Sequence, residues 1–118
     1  MRREQRLTRG SDFERTRADG IRTSDRLFAL GAVQSEIGVT RFGLAVSRRV
    51  GGAVVRNRLK RRIRAALDSL EFAEGWNVVV SARPAAAEAS YHEIKASLRR
   101  LGGKLGVVTA IYDSADGR

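Results

Sequence analysis

Arg41-Phe-Gly-Leu-Ala-Val-Ser-Arg-Arg-Val50-Gly51-Gly52-Ala-Val-Val-Arg56-Asn57-Arg58-Leu-Lys60-Arg61-Arg62-Ile-Arg64 changes its hydrophobic period once, and that change decides the fold. From Arg41 to Val50 apolar residues alternate, with Phe42, Leu44 and Val46 on one face, so the segment reads as a β-strand. Gly51-Gly52 breaks it. Beyond the break Val55, Leu59, Ile63, Ala66, Leu67 and Leu70 recur at helical spacing. At about 100° per residue they fill one arc of about 120°, the mark of an amphipathic helix packed on a sheet. Arg56 lies at the margin of that arc, and Lys60, Arg64, Asn57 and Arg61 continue round from it. Arg58 and Arg62 take the other flank. One edge of the helix is thus a cationic ridge.

Downstream, Trp76-Asn-Val-Val-Val-Ser-Ala82 is bounded by Gly75 and by Arg83-Pro84 and reads as a buried central strand. Strand, helix, strand implies a parallel pairing. Ser90-Tyr91-His92-Glu93 is a capping box, and Tyr91, Ile94, Leu98 and Leu101 form the apolar stripe of a last helix that Gly102-Gly103 should terminate. Val107 to Tyr112 reads either as an edge strand or as a frayed tail, and 113–118 as a disordered tail after a single domain spanning 1–112.

Upstream, Ser11-Asp12-Phe13-Glu14 is a second capping box, predicting a helix from about Asp12 to Ala18 that Gly20 stops. Ile21 to Ser24 is a candidate short strand. Arg26 to Val33 is another strand, and Gln34-Ser35-Glu36 with Gly38 predicts a hairpin that pairs it antiparallel with the strand at 41.

Charge narrows the function. The chain has 118 residues, 23 Lys plus Arg against 13 Asp plus Glu and a net charge of +10; its lysines are Lys60, Lys95 and Lys104, so the excess is arginine. Arginine's planar donor fork suits phosphate and stacks on bases, which points to nucleic acid. The block 41–64 carries nine basic groups and no acid, whereas 1–26 mixes eight basic with five acidic groups and reads as a solvated face. No cysteine is present, which excludes a disulfide framework and a thiol nucleophile. No window approaches the roughly 20 apolar residues that cross a bilayer, so a soluble cytoplasmic protein with no membrane partner is expected.

Signs of intrinsic catalysis are poor. The single histidine, His92, sits in the first turn of the last helix without a motif around it. Glu71, Glu74, Asp113 and Asp116 are scattered and form no metal-ligand pattern. No catalytic residue and no protein-held metal are assigned. Gly51-Gly52 reads both as a tight turn and as a helix start whose free amides attract anions.

The stretch 41–64, centred on Arg56-Asn57-Arg58, closely resembles the signature of the bacterial ribonuclease P protein family. Further matches run over 6–101: Arg6-Leu7 before Asp12-Phe13, Gly20, Arg26-Leu-Phe28, the strand from Val78 to Ala82 with Arg83-Pro84, and the helix containing Tyr91. The resemblance implies an α/β (α+β) two-layer sandwich, ribosomal-protein-like, with a small mixed sheet and the basic helix in a left-handed βαβ crossover. It implies that Arg56, Asn57, Arg58, Lys60, Arg61 and Arg64 lie near the catalytic centre of an RNA subunit, with Arg48, Arg49, Phe13 and Arg17 lining other parts of an RNA cleft. The implied partners are ribonuclease P RNA and the 5′ leader of precursor tRNA, with no small-molecule substrate. The implied cofactor is Mg2+, bound mainly by RNA. The chain departs from the family at position 17, Arg for a frequent aromatic, at 16, Thr for an aliphatic, and at 31, Gly where an aromatic can face the cleft. Stacking is thereby left to Phe13 and guanidinium planes. Two other functions fit the same charge: a general or ribosome-associated RNA-binding module, and an autonomous nuclease.

Overall fold

In the computed structural model, which describes residue 1 and residues 3–109, the most apolar strand takes the most enclosed place. The elements are α1 (Gly10–Asp19), β1 (Ile21–Ser24), β2 (Phe28–Gln34), β3 (Arg41–Ala45), α2 (Ala53–Asp68), β4 (Trp76–Ala82) and α3 (Tyr91–Leu105), with 3-10 turns at Arg3–Gln5 and Pro84–Glu88. They make a mixed α/β fold whose sheet has the order β1-β2-β4-β3. β4, with Val78, Val79 and Val80 all buried, lies inside the sheet, antiparallel to β2 and parallel to β3.

Alternation along the strands sorts the two faces. Phe28, Leu30, Ala32, Phe42, Val78 and Val80 join Leu59, Ile63, Ala66 and Leu67 of α2 and Ile94, Leu98 and Leu101 of α3 in one core. α1 crosses the opposite face, where a Cβ on Gly43 of β3 would meet the Phe13 ring at 2.5 Å. Gly20 ends α1 for reasons of space: a Cβ there would sit 2.3 Å from the Thr16 carbonyl oxygen and 2.7 Å from that of Ala32.

Five expectations are corrected. The tight connection at 35–40 is present but makes no hairpin: β2 and β3 are not neighbours, because β4 lies between them. Both ends of that connection are bonded to the segment leading into β4: Ser35 N–H donates to Gly75 O (2.7 Å) and the Thr40 hydroxyl to Ala73 O (2.6 Å). In that place both edges of β4 are hydrogen-bonded and both of its apolar faces are covered, Val78 and Val80 by α2 and α3 and Val79 on the side of α1. Next, β3 ends at Ala45, paired with Ser81, because β4 itself stops at Ala82 ahead of Pro84; Ser47 to Gly51 is a turn closed by Val50 N–H to Ser47 O and Gly51 N–H to Arg48 O.

The capping box at Ser11 does not form. Arg9 is the N-cap, its carbonyl accepting from the amides of Asp12 and Phe13, and Glu14 pairs with Arg17 at 2.8 Å. The Ser90–Glu93 box does form. Lastly, α3 runs through Gly102-Gly103 and ends at Gly106, which is left-handed (φ 76°) as a C-cap glycine should be. A Cβ on Gly102 would meet Val108 at 2.2 Å, so that glycine admits the returning chain. Val107 and Val108 are buried and Val108 makes one antiparallel bridge to Phe72, neither a strand nor a frayed end. Residues 110–118, with the remainder of that run and the predicted disordered tail, lie outside the described residues.

Candidate nucleic-acid interface

The ridge follows from the helix period. With Leu59, Ile63, Ala66 and Leu67 buried against the sheet, Arg56, Lys60 and Arg64 fall on one line down the side of α2, spaced four residues apart. Lys60 and Arg64 line an open groove together with Met1, Arg6, Leu7, Thr8, Phe42 and Leu44. The far wall is made by the N-terminal segment: Arg6 bridges to Phe42 in parallel and Leu7 N–H donates to Phe42 O (2.8 Å).

That arrangement sets two positive groups side by side. Burial, and then the charge of Arg6, push the pKa of Arg64 below its ordinary value. The Nε atoms of Arg56 and Arg64 are buried and have no hydrogen-bond partner among the described residues. Like charges held together in an open groove form a strong site for a polyanion, whose arrival relieves their repulsion.

The other named residues divide between faces. Asn57, Arg58 and Arg61 are exposed on α2. Arg58 belongs to the far flank with Arg62, which donates to Ala89 O (3.2 Å). Arg48 and Arg49 are exposed on the turn that leads from β3 to α2. Phe13 and Arg17 lie across the sheet, in a cleft lined by Phe13, Thr16, Arg17, Arg22, Ala29, Gly31, Val79 and Ser81. Phe13 is half-buried over Gly43, so only part of its ring faces solvent.

Two further cations belong with these sites that the sequence does not assign to them. Arg6 and Arg22 sit in the mixed-charge region 1–26 that reads as a solvated face, yet the sheet carries Arg6 to Arg64 and Arg22 to the cleft. Only a tertiary bridge joins Arg6 to the ridge, so no local pattern announces it. A wider surface cavity, about 440 Å3, lies at the other end of β3 with Glu4, Asp68 and Glu74 on its rim; those carboxylates make it a poor phosphate site. Among the described residues no group of three or more His, Cys, Asp or Glu is placed to hold a metal ion, and no helix is long and apolar enough to cross a membrane.

Known proteins share this architecture. A family model described as ribonuclease P matches residues 1–106. A ribonuclease P protein component of Roseiflexus castenholzii is 39% identical over 120 residues, covering 98% of both chains. The RNase P protein of Staphylococcus aureus superposes with a TM-score of 0.79 at 28% identity, covering 87% of this chain and 96% of that one. The RNase P protein of Thermotoga maritima shares the fold, with a TM-score of 0.72 at 23% identity over 79% of this chain and 90% of that one.

Proposed function

This chain belongs to the ribonuclease P protein family, and on that premise we propose that it is the RNA-binding protein cofactor of ribonuclease P, contacting the catalytic RNA and holding the 5′ leader of precursor tRNA. Membership carries a part in tRNA 5′ processing, as a component of an endoribonuclease with an RNA partner. In the proposal the α2 ridge, Arg56, Asn57, Lys60, Arg61 and Arg64, with Arg58 on its flank, faces the RNA subunit near the scissile phosphate. The cleft of Phe13 and Arg17, with Arg48 and Arg49 on its approach, takes the unpaired leader. Magnesium is assigned to the RNA, which supplies metal and reacting geometry, while this chain adds positive field and orients the substrate. The work is cytoplasmic and involves neither a membrane nor a small-molecule substrate.

The observation that carries this reading is the acid-free groove where Arg6, Lys60 and Arg64 meet. The test is reconstitution with a bacterial ribonuclease P RNA at low magnesium. The purified protein should raise the rate of leader removal several-fold or more. Lack of stimulation across several such RNAs would instead favour a general RNA-binding module, and RNA hydrolysis by the protein alone with magnesium would identify an autonomous nuclease.

A further inference from the structure

Gly31 is the strand glycine that the fold does not require. Gly43 is needed, because its Cβ would strike the Phe13 ring. At Gly31, by contrast, a Cβ would make only ordinary contacts, 3.4 Å to Arg22 Cγ and 3.5 Å to Thr16 Cγ2, and φ is not positive. Glycine inside a strand costs conformational entropy and packs nothing, and one reason for keeping it is close approach by a ligand. The missing side chain leaves a pocket of about 80 Å3, floored by Ala29, Gly31 and Ser81 and flanked by Phe13, Arg17 and Arg22.

The two arginines are not equivalent. Arg17 is held by Glu14 at 2.8 Å, whereas Arg22 has no hydrogen-bond or ion-pair partner among the described residues. Arg22 pairs in register with Gly31, and its side-chain carbons lie over that position. A guanidinium fork presents two parallel donors. The edge of guanine that carries O6 and N7 offers two adjacent acceptors, while adenine places an N6 donor beside N7 and meets the fork with like polarity. We infer that the pocket at Gly31 is a guanine-selective subsite of the leader cleft, with Arg22 as the specificity-determining residue and the Phe13 and Arg17 side chains flanking the base. This inference rests on the cleft being the leader site.

The test uses holoenzyme reconstituted with a bacterial ribonuclease P RNA and precursor tRNAs whose leader carries guanosine or adenosine at each position in turn, with Kd measured for each, alongside a leaderless tRNA. One position should favour guanosine by about fivefold or more. Arg22→Gln, whose amide offers one donor and one acceptor and so suits adenine, should abolish or reverse that ratio, and Arg22→Ala should abolish it. Gly31→Tyr, filling the pocket, should do the same. If the wild-type holoenzyme binds leader-bearing and leaderless RNA alike, the leader-site reading itself fails. If the leader tightens binding but no position favours guanosine, or Arg22→Ala keeps the full ratio, the guanine subsite alone is overturned.

Discussion

At Asp25 one carboxylate closes the turn into β2 and ties it to α3. Its Oδ1 accepts from the amides of Leu27 and Phe28, both at 2.9 Å, and its Oδ2 from the Ser97 hydroxyl at 2.5 Å and from Arg100 at 2.6 Å. Burial alone would raise its pKa, but the bonds from Ser97, from the Phe28 and Leu27 amides and from Arg100 outweigh it and hold the group below its ordinary value. A depressed carboxylate contributes stability that is complete above the unfolded pKa, about 3.9, and is lost as pH falls toward the folded value. Asp25→Asn should therefore flatten the dependence of the urea midpoint on pH below about pH 5. Asp25→Ala should cost about 2–3 kcal/mol at neutral pH. A second residue-scale outcome concerns the seat of Phe13: Gly43→Ala should cost about 1–3 kcal/mol by overpacking, and most of that should vanish in a Phe13→Ala background when both are measured by denaturant unfolding. The long sequence separation of these contacts explains why neither residue stands out in the sequence, since Asp25 meets Ser97 and Arg100 across more than seventy positions.

At the scale of elements, the ridge is a property of one helix and its period, so its main members are legible in residues 41–64 without coordinates. If it engages RNA, log K should fall with log salt at a slope near −0.7 for each phosphate neutralised on a single strand. Lys60→Ala and Arg64→Ala should each flatten that slope in binding titrations, and Arg62→Ala, on the flank that bonds to Ala89, should flatten it less; equal effects at all three would remove the ridge as the contact surface. Helix ends were less legible. The spacing Ser-x-x-Glu occurs at 11–14 and again at 90–93, and only the second forms a capping box. Upstream of the first, Leu7 is bonded to Phe42, and residues 7–9 run from that bond straight into α1, so Arg9 becomes the cap and Ser11 falls inside the helix. A local pattern names candidate caps; a distant hydrogen bond chooses among them.

For the molecule as a whole, a charge of +10 makes the folded state self-repelling, and a bound polyanion should relieve that. RNA that binds the folded protein should raise its Tm with RNA concentration, in keeping with mass action, and the shift should shrink as salt is added; a Tm indifferent to RNA at low salt would contradict any polyanion partner. Length, the lack of cysteine, the run of valines at 78–80 and the switch of period at Gly51-Gly52 were enough to specify an α/β domain with a central apolar strand, a parallel β3–β4 pair and a basic helix between them. Those are local or compositional quantities, readable from neighbours in the chain. That β4 separates β2 from β3, that α3 continues past two glycines to admit Val108, that Arg6 meets Arg64 and that Arg22 reaches the cleft at Gly31 were decided only by tertiary structure. Each depends on which surfaces meet when apolar faces are buried together, and that competition is settled between segments rather than within any one of them.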